Sequence, residues 1–169
     1  PDTATPGTIL IRCNGIDTNK VNFRPMYLAS INYDRIPVNG VLTLNGCGFG
    51  EDIGEVNFSD VRSLAYEHWG DDRIEVRVPE GASGVATLSL NTDGVTTNVL
   101  PVTIVIASET DYLEGWIGRE ITILGENFGP TQGANKITFN GLIAPIVSWA
   151  DAKIVTRVPL GAASGPLVL

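Results

Sequence analysis

The sequence predicts an all-β chain of small sandwich units in tandem, and three observations carry that expectation. A long motif set occurs twice, apolar residues alternate with polar ones along short segments, and Gly, Pro and Asn punctuate those segments. Of 169 residues, 43% are hydrophobic and only 18% charged, with Gly 19 and Pro 10. That mix suits many short strands joined by tight turns.

The repeat is read residue by residue. Leu42-Thr43-Leu44-Asn45-Gly46-Cys47-Gly48-Phe49-Gly50 lies over Ile121-Thr122-Ile123-Leu124-Gly125-Glu126-Asn127-Phe128-Gly129. Val56-Asn57-Phe58 falls on Ile137-Thr138-Phe139, Trp69 on Trp149 and Asp71 on Asp151. Arg73 to Pro79 then meets Lys153 to Pro159, and Gly81-Ala82 meets Gly161-Ala162. A period of roughly 80 residues exceeds the 20–50 of solenoid units and suits a domain with its own core.

Each segment reads as a strand. Leu42 and Leu44 point inward with Thr43 outward, and Val56 and Phe58 flank Asn57. Ile74, Val76 and Val78 face the core with Arg73, Glu75 and Arg77 outside, and Ala86, Leu88 and Leu90 continue the pattern. Gly46 and Gly50, with Gly125 and Gly129, bracket a Phe where positive φ or close backbone approach is needed. Asn91-Thr92-Asp93-Gly94 is a hairpin turn signal. Pro79 and Pro159 end a strand where the missing N–H costs nothing.

Together these motifs resemble the IPT/TIG domain, an immunoglobulin-like sandwich. They are Gly-x-x-Phe-Gly, Val-x-Phe, Trp, Ile-x-Val-x-Val-Pro, Ser-Gly and a closing Gly-x-x-x-Asn at Gly94 to Asn98. The resemblance runs from Ile31 onward. It implies an elongated array of immunoglobulin-like units with no catalytic residues. The family's settings are cell-surface receptors, bacterial surface and adhesion arrays, modules beside polysaccharide-acting enzymes, and Rel-type transcription factors.

Three segments are expected. Residues 1–28 form the terminal strand pair of a preceding unit, since Gly15 to Asn19 matches Gly94 to Asn98 and residues 8–11 resemble 86–90. Residues 29–106 form a complete sandwich, with Tyr27-Leu28-Ala29-Ser30 placed like Val105-Ile106-Ala107-Ser108. Residues 107–169 form a second sandwich lacking its last strands, Leu169 aligning near Leu88. Surplus and gap match, so Thr8, Leu10, Val21 and Phe23 are expected to complete the edge at Leu167 and Leu169. The neighbour is either an adjacent repeat of a longer chain or a second subunit, head to tail. No flexible linker interrupts Ala29-Ser30 or Ala107-Ser108, which predicts stiff joints.

Charge narrows the partners. Acidic residues outnumber basic ones 19 to 11, net charge −8, with no basic cluster to neutralise phosphates. Nucleic acid is excluded on that ground, the Rel-type setting with it, and no apolar run nears the roughly 18 residues of a membrane span. Cys13 and Cys47 show no CxxC spacing, which leaves a disulfide or two free thiols.

The remaining candidates are few. His68 is the only histidine, stands beside Glu67 and Asp71-Asp72, and is replaced by Ser148 in the second repeat, so it reads as a solvated loop residue. Trp69 and Trp149 recur and read as core or edge cover. Trp116 stands where the first repeat has Pro37 and is the candidate for packing between units or ligand stacking. Glu109, Asp111 and Glu114 cluster without any Asp-x-Asp calcium spacing. The expectation is a non-enzymatic, cofactor-free extracellular or cell-surface protein forming a stalk or a head-to-tail filament by strand complementation. The alternative is a carbohydrate-associated binding or adhesion module, with polysaccharide as the partner.

Overall fold

A computed structural model describes residues 25–169, together with the strands Gly7–Ile9, Arg12–Cys13, Ile16–Asp17 and Val21–Phe23. Among the described residues there is no helix, and therefore none long and apolar enough to cross a membrane. The chain divides into two compact units. Unit one takes the described residues through Asp34 with Asn39–Pro79 and Thr87–Val102; unit two takes Arg35–Val38, Glu80–Ala86 and Thr103–Leu169. The strand Leu100–Thr110 begins in one and ends in the other.

In unit one, four antiparallel strands run in the order Tyr66–Trp69, Arg73–Arg77, Val41–Cys47 and Tyr27–Ile31. Glu55–Phe58 pairs on one side with Val61–Ser63 and on the other with residues 88–91. The alternation read from sequence holds: Leu42, Leu44, Val56, Phe58, Ile74, Val76, Leu88 and Leu90 are all buried. The expected hairpin forms at Asp93 and Gly94, whose φ values of 52° and 76° are the double positive φ that a two-residue turn requires.

Unit two repeats the plan with Ile146–Ala150, Lys153–Arg157, Glu120–Glu126 and the end of Leu100–Thr110 in one sheet. Leu142–Ile143, Thr138–Phe139 and Leu167–Val168 form another. Its core draws on both sheets, Ile123 and Ile154 from the first meeting Ile137, Phe139 and Leu167 near the second. That shared burial is what a sandwich needs.

The Gly-x-x-Phe-Gly corner is built identically twice. Phe49 N–H donates to Asp71 O and Phe128 N–H to Asp151 O, both at 2.9 Å. Gly50 N–H reaches Asp71 Oδ1 at 3.1 Å, and Gly129 N–H reaches Asp151 Oδ1 at 2.9 Å. The indole N–H groups of Trp69 and Trp149 each donate to the carbonyl of the closing glycine, Gly50 or Gly129, at 3.1 Å. The recurrent tryptophans and aspartates thus each fasten the corner by hydrogen bonds.

Two sequence alignments are corrected. Leu28 pairs with Gly46 while Ala107 pairs with Gly125, so Leu28 corresponds to Ala107 rather than Ile106, a one-residue shift. Likewise Leu88 faces Phe58 as Leu167 faces Phe139, so Leu169 corresponds to Leu90 and not Leu88. No glycine fixes the register beside Ala107, and Gly165 stands two residues past the place of Gly84, so it misleads the register near Leu169.

Tyr66 gives unit one an alkaline sensitivity. Its hydroxyl donates to Ser63 O at 2.8 Å and accepts from Val56 N–H at 3.2 Å. Burial raises its pKa above the ordinary value, the Val56 bond opposing. A raised folded-state pKa means stability present at neutral pH and lost as pH climbs past about 10. Tyr66→Phe is expected to cost about 1 kcal/mol at pH 7 and to flatten the decline of melting temperature between neutral and alkaline pH.

Candidate functional site: an open groove and an aromatic platform on unit two

Unit two carries an open groove of about 620 Å³ whose apolar lining includes Ile121, Ile123, Ile137, Phe139, Leu167 and Leu169, with Ala107, Glu109 and Thr110 also on its wall. A second hollow of about 400 Å³ continues it past Glu114, Gly115 and Ile117 and shares Tyr112, Ile121 and Phe139. The counterparts of these residues in unit one are sealed. Phe58 and Leu88 are fully buried, whereas Phe139 and Leu167 are only half-buried.

Comparison of the repeats explains the opening. In the first repeat, Thr103, Ile104 and Val105 of the strand Leu100–Thr110 pair in parallel with Arg35, Ile36 and Pro37. Val102 and Ile104 on that strand are buried. Residues 114–116 stand where Arg35–Pro37 stand, and among the described residues no strand pairs with them. Two core positions are also truncated: Ala107 replaces Leu28, and Gly115 replaces Ile36, both of which are buried in the first repeat.

Beside the groove is an aromatic platform. Trp116 is 69% exposed, and Tyr112 is half-exposed. The Arg119 guanidinium stacks between them, 3.4 Å from the Tyr112 ring centroid and 4.5 Å from that of Trp116. The Trp116 ring lies against Arg119 and is otherwise exposed. Its counterpart Pro37 is exposed as well.

The other sequence candidates fall elsewhere. Thr8 is exposed on Gly7–Ile9, which pairs antiparallel with Val21–Phe23 as Thr8↔Asn22; Leu10 lies outside the described residues. Leu167 and Leu169 join the rim of the unit-two core. Cys47 is a free thiol whose Sγ lies 3.5 Å from Pro25 O, and the side chain of Cys13 lies outside those described. Asp111 is engaged structurally: its Oδ1 accepts from Thr122 N–H at 2.8 Å, as Asn32 Oδ1 accepts from Thr43 N–H at 2.9 Å. Among the described residues no group of three or more His, Cys, Asp or Glu side chains is placed to share a metal ion, and His68 is solvent-exposed. Tyr112 and Arg119 were missed in the sequence; their spacing around Trp116 was the available signal.

Residues 111–169 match the IPT/TIG domain family, a span that holds Tyr112, Trp116 and Arg119 and the groove residues from Tyr112 to Leu169. No curated protein matches the chain by sequence. Several solved structures resemble it in fold. SGBP-B from a xyloglucan utilization locus of Bacteroides uniformis is 18% identical, with 85% of this chain and 44% of that one covered and a TM-score of 0.40. The gamma-CGTase of the alkalophilic Bacillus clarkii is 19% identical over 79% of this chain and 21% of its own, TM-score 0.46. The extracellular region of plexin A4 is 13% identical over 80% and 15%, TM-score 0.44. The chain thus spans less than half of each of these proteins.

Proposed function

We propose that this chain is a non-enzymatic module of an extracellular or cell-surface protein, in which IPT/TIG-type units space out and present a carbohydrate-contact face. One observation carries the reading: Trp116 and Tyr112 are held exposed, with the Arg119 guanidinium stacked between them. Exposed indole and phenol faces stack on the C–H faces of sugar rings, while a guanidinium offers donors to hydroxyls. The net charge of −8 favours a neutral glycan over an acidic one. By contrast, the recurrent tryptophans and aspartates are consumed in the corners, and none is left to act on a substrate. A stalk or filament is the spacing half of the same reading, with the units carrying the platform away from a surface.

The test is affinity electrophoresis against a panel of neutral and acidic polysaccharides. Trp116→Ala is expected to weaken retention by a neutral glycan about tenfold or more while leaving the melting temperature unchanged. Retention by no glycan in the panel, or equal retention of wild type and Trp116→Ala, would remove the reading.

A further inference from the structure

The first sheet of unit two, from Ile146–Ala150 to the end of Leu100–Thr110, matches a sheet of unit one strand for strand. Its outer face does not match. Pairing fixes the comparison: Leu124 lies across from Lys153 as Asn45 lies across from Arg73, and Val155 across from Thr122 as Glu75 across from Thr43. On the next strand a bulge falls at Val147, as one falls at Glu67. Unit one keeps this face polar and closes its charges within the chain, Arg73 on Glu75 and Arg77 on Glu67.

In unit two, Leu124, Val155 and Val147 take the places of Asn45, Glu75 and Glu67. Leu124 is 42% exposed and Val147 46%, with Val155 half-buried on the strand between them. The three form an apolar stripe running diagonally across the sheet. Loss of the carboxylate at 155 also leaves Lys153 without the partner that Arg73 has. Glu109, across from Leu124 on its other side, stands where unit one has Ser30. Among the described residues neither Lys153 nor Glu109 forms a salt bridge. They flank Leu124 two strand spacings apart, about 10 Å. Asp111 extends the acidic edge, its Oδ1 held by Thr122 N–H.

We propose that this stripe is a self-association site, and that its occupant is the same stripe of a second copy of the chain. The face is self-complementary: an apolar centre has an unpaired cation on one flank and unpaired acid on the other. A two-fold axis along Leu124, Val155 and Val147 lays each stripe on its copy and carries Lys153 of each chain over the acidic edge, Glu109 and Asp111, of the other. The apolar residues supply the buried area, and the charges set the orientation. Because both chains use the same patch, the contact is isologous and closes at a dimer.

Sedimentation of the full chain is expected to show a concentration-dependent dimer. Leu124→Asn and Val155→Glu install the residues that unit one carries at these positions, Asn45 and Glu75. Each is expected to weaken dimerisation at least about tenfold and to leave the melting temperature unchanged. Lys153→Glu and Glu109→Lys each set like charges against one another in their own dimers and are expected to weaken them as well. Mixing those two variants is expected to restore dimerisation, because every altered charge then faces its opposite. That rescue also shows that neither variant has merely unfolded. A wild-type chain monomeric throughout the concentration range overturns the proposal. So does a dimer that Leu124→Asn leaves unweakened, a pair of charge variants that mixing does not rescue, or assembly that continues past the dimer. Trp116→Ala is expected to leave the dimer unchanged, so this result and the glycan result stand or fall separately.

Discussion

Replacing Gly125 with alanine is expected to unfold unit two, and Gly46→Ala to do the same in unit one. A Cβ on Gly125 would lie 2.0 Å from Ile106 O and 2.4 Å from Phe128 Cζ; on Gly46, 2.0 Å from Tyr27 O and 2.4 Å from Phe49 Cζ. Those carbonyls belong to strands paired with the glycine's own, so they cannot withdraw without opening the ladder. The rings fill the corner beneath. Overpacking a well-ordered core costs about 1–3 kcal/mol, and a fixed backbone atom at this distance places these sites at or above the top of that range. With total stability of about 5–15 kcal/mol for an ordinary domain, the loss is a large fraction of the whole. Gly81→Ala is the contrast: no neighbour lies within 4 Å of its would-be Cβ, and only its φ of 92° opposes a side chain. Chemical denaturation of the three variants is expected to rank Gly46 and Gly125 together and well below Gly81.

Phe49→Ala is the second large effect, expected to cost about 3–5 kcal/mol. Phe49 is among the largest fully buried side chains, and its backbone N–H is tied to Asp71 O, so the corner cannot collapse into the space left behind. The same change at Phe128 is expected to cost less. Phe128 is also buried and stacks edge-on to Trp149 with centroids 6.3 Å apart, but its core cluster ends in the half-buried Phe139, Leu167 and Leu169 along the groove. A cavity that can relax toward an open groove is penalised less than a sealed one. Equal losses at the two positions would show that the groove is closed in solution.

The corners were legible because glycine, aspartate and tryptophan each leave a distinct mark, and each turned out to hold a hydrogen bond or a close approach that other residues cannot supply. The alternation along residues 73–78 was equally plain, since the period of two is a direct consequence of the pleat. The groove was not legible in the same way. Its width depends on Ala107 standing at the place of Leu28, and an apolar run with no glycine hides a one-residue slip. Trp116 drew notice as lacking a counterpart, but that the Arg119 guanidinium stacks on its ring emerges only from the structure, its spacing three residues on being the single hint. Asp111 read as one member of an acidic cluster until its partner, Thr122 N–H, showed it doing the work of Asn32.

The central claim is that unit two repeats the sandwich of unit one but stands open along one side. Amide hydrogen exchange on the dilute chain tests it residue by residue. The corner amides of Phe49 and Phe128 are expected to be protected alike. The amides of Thr138–Phe139 and Leu167–Val168 are expected to exchange at least about tenfold faster than those of Asn57, Phe58, Leu88 and Ser89. Equal protection of the two sets would mean that unit two is sealed, and the account of the groove would be wrong.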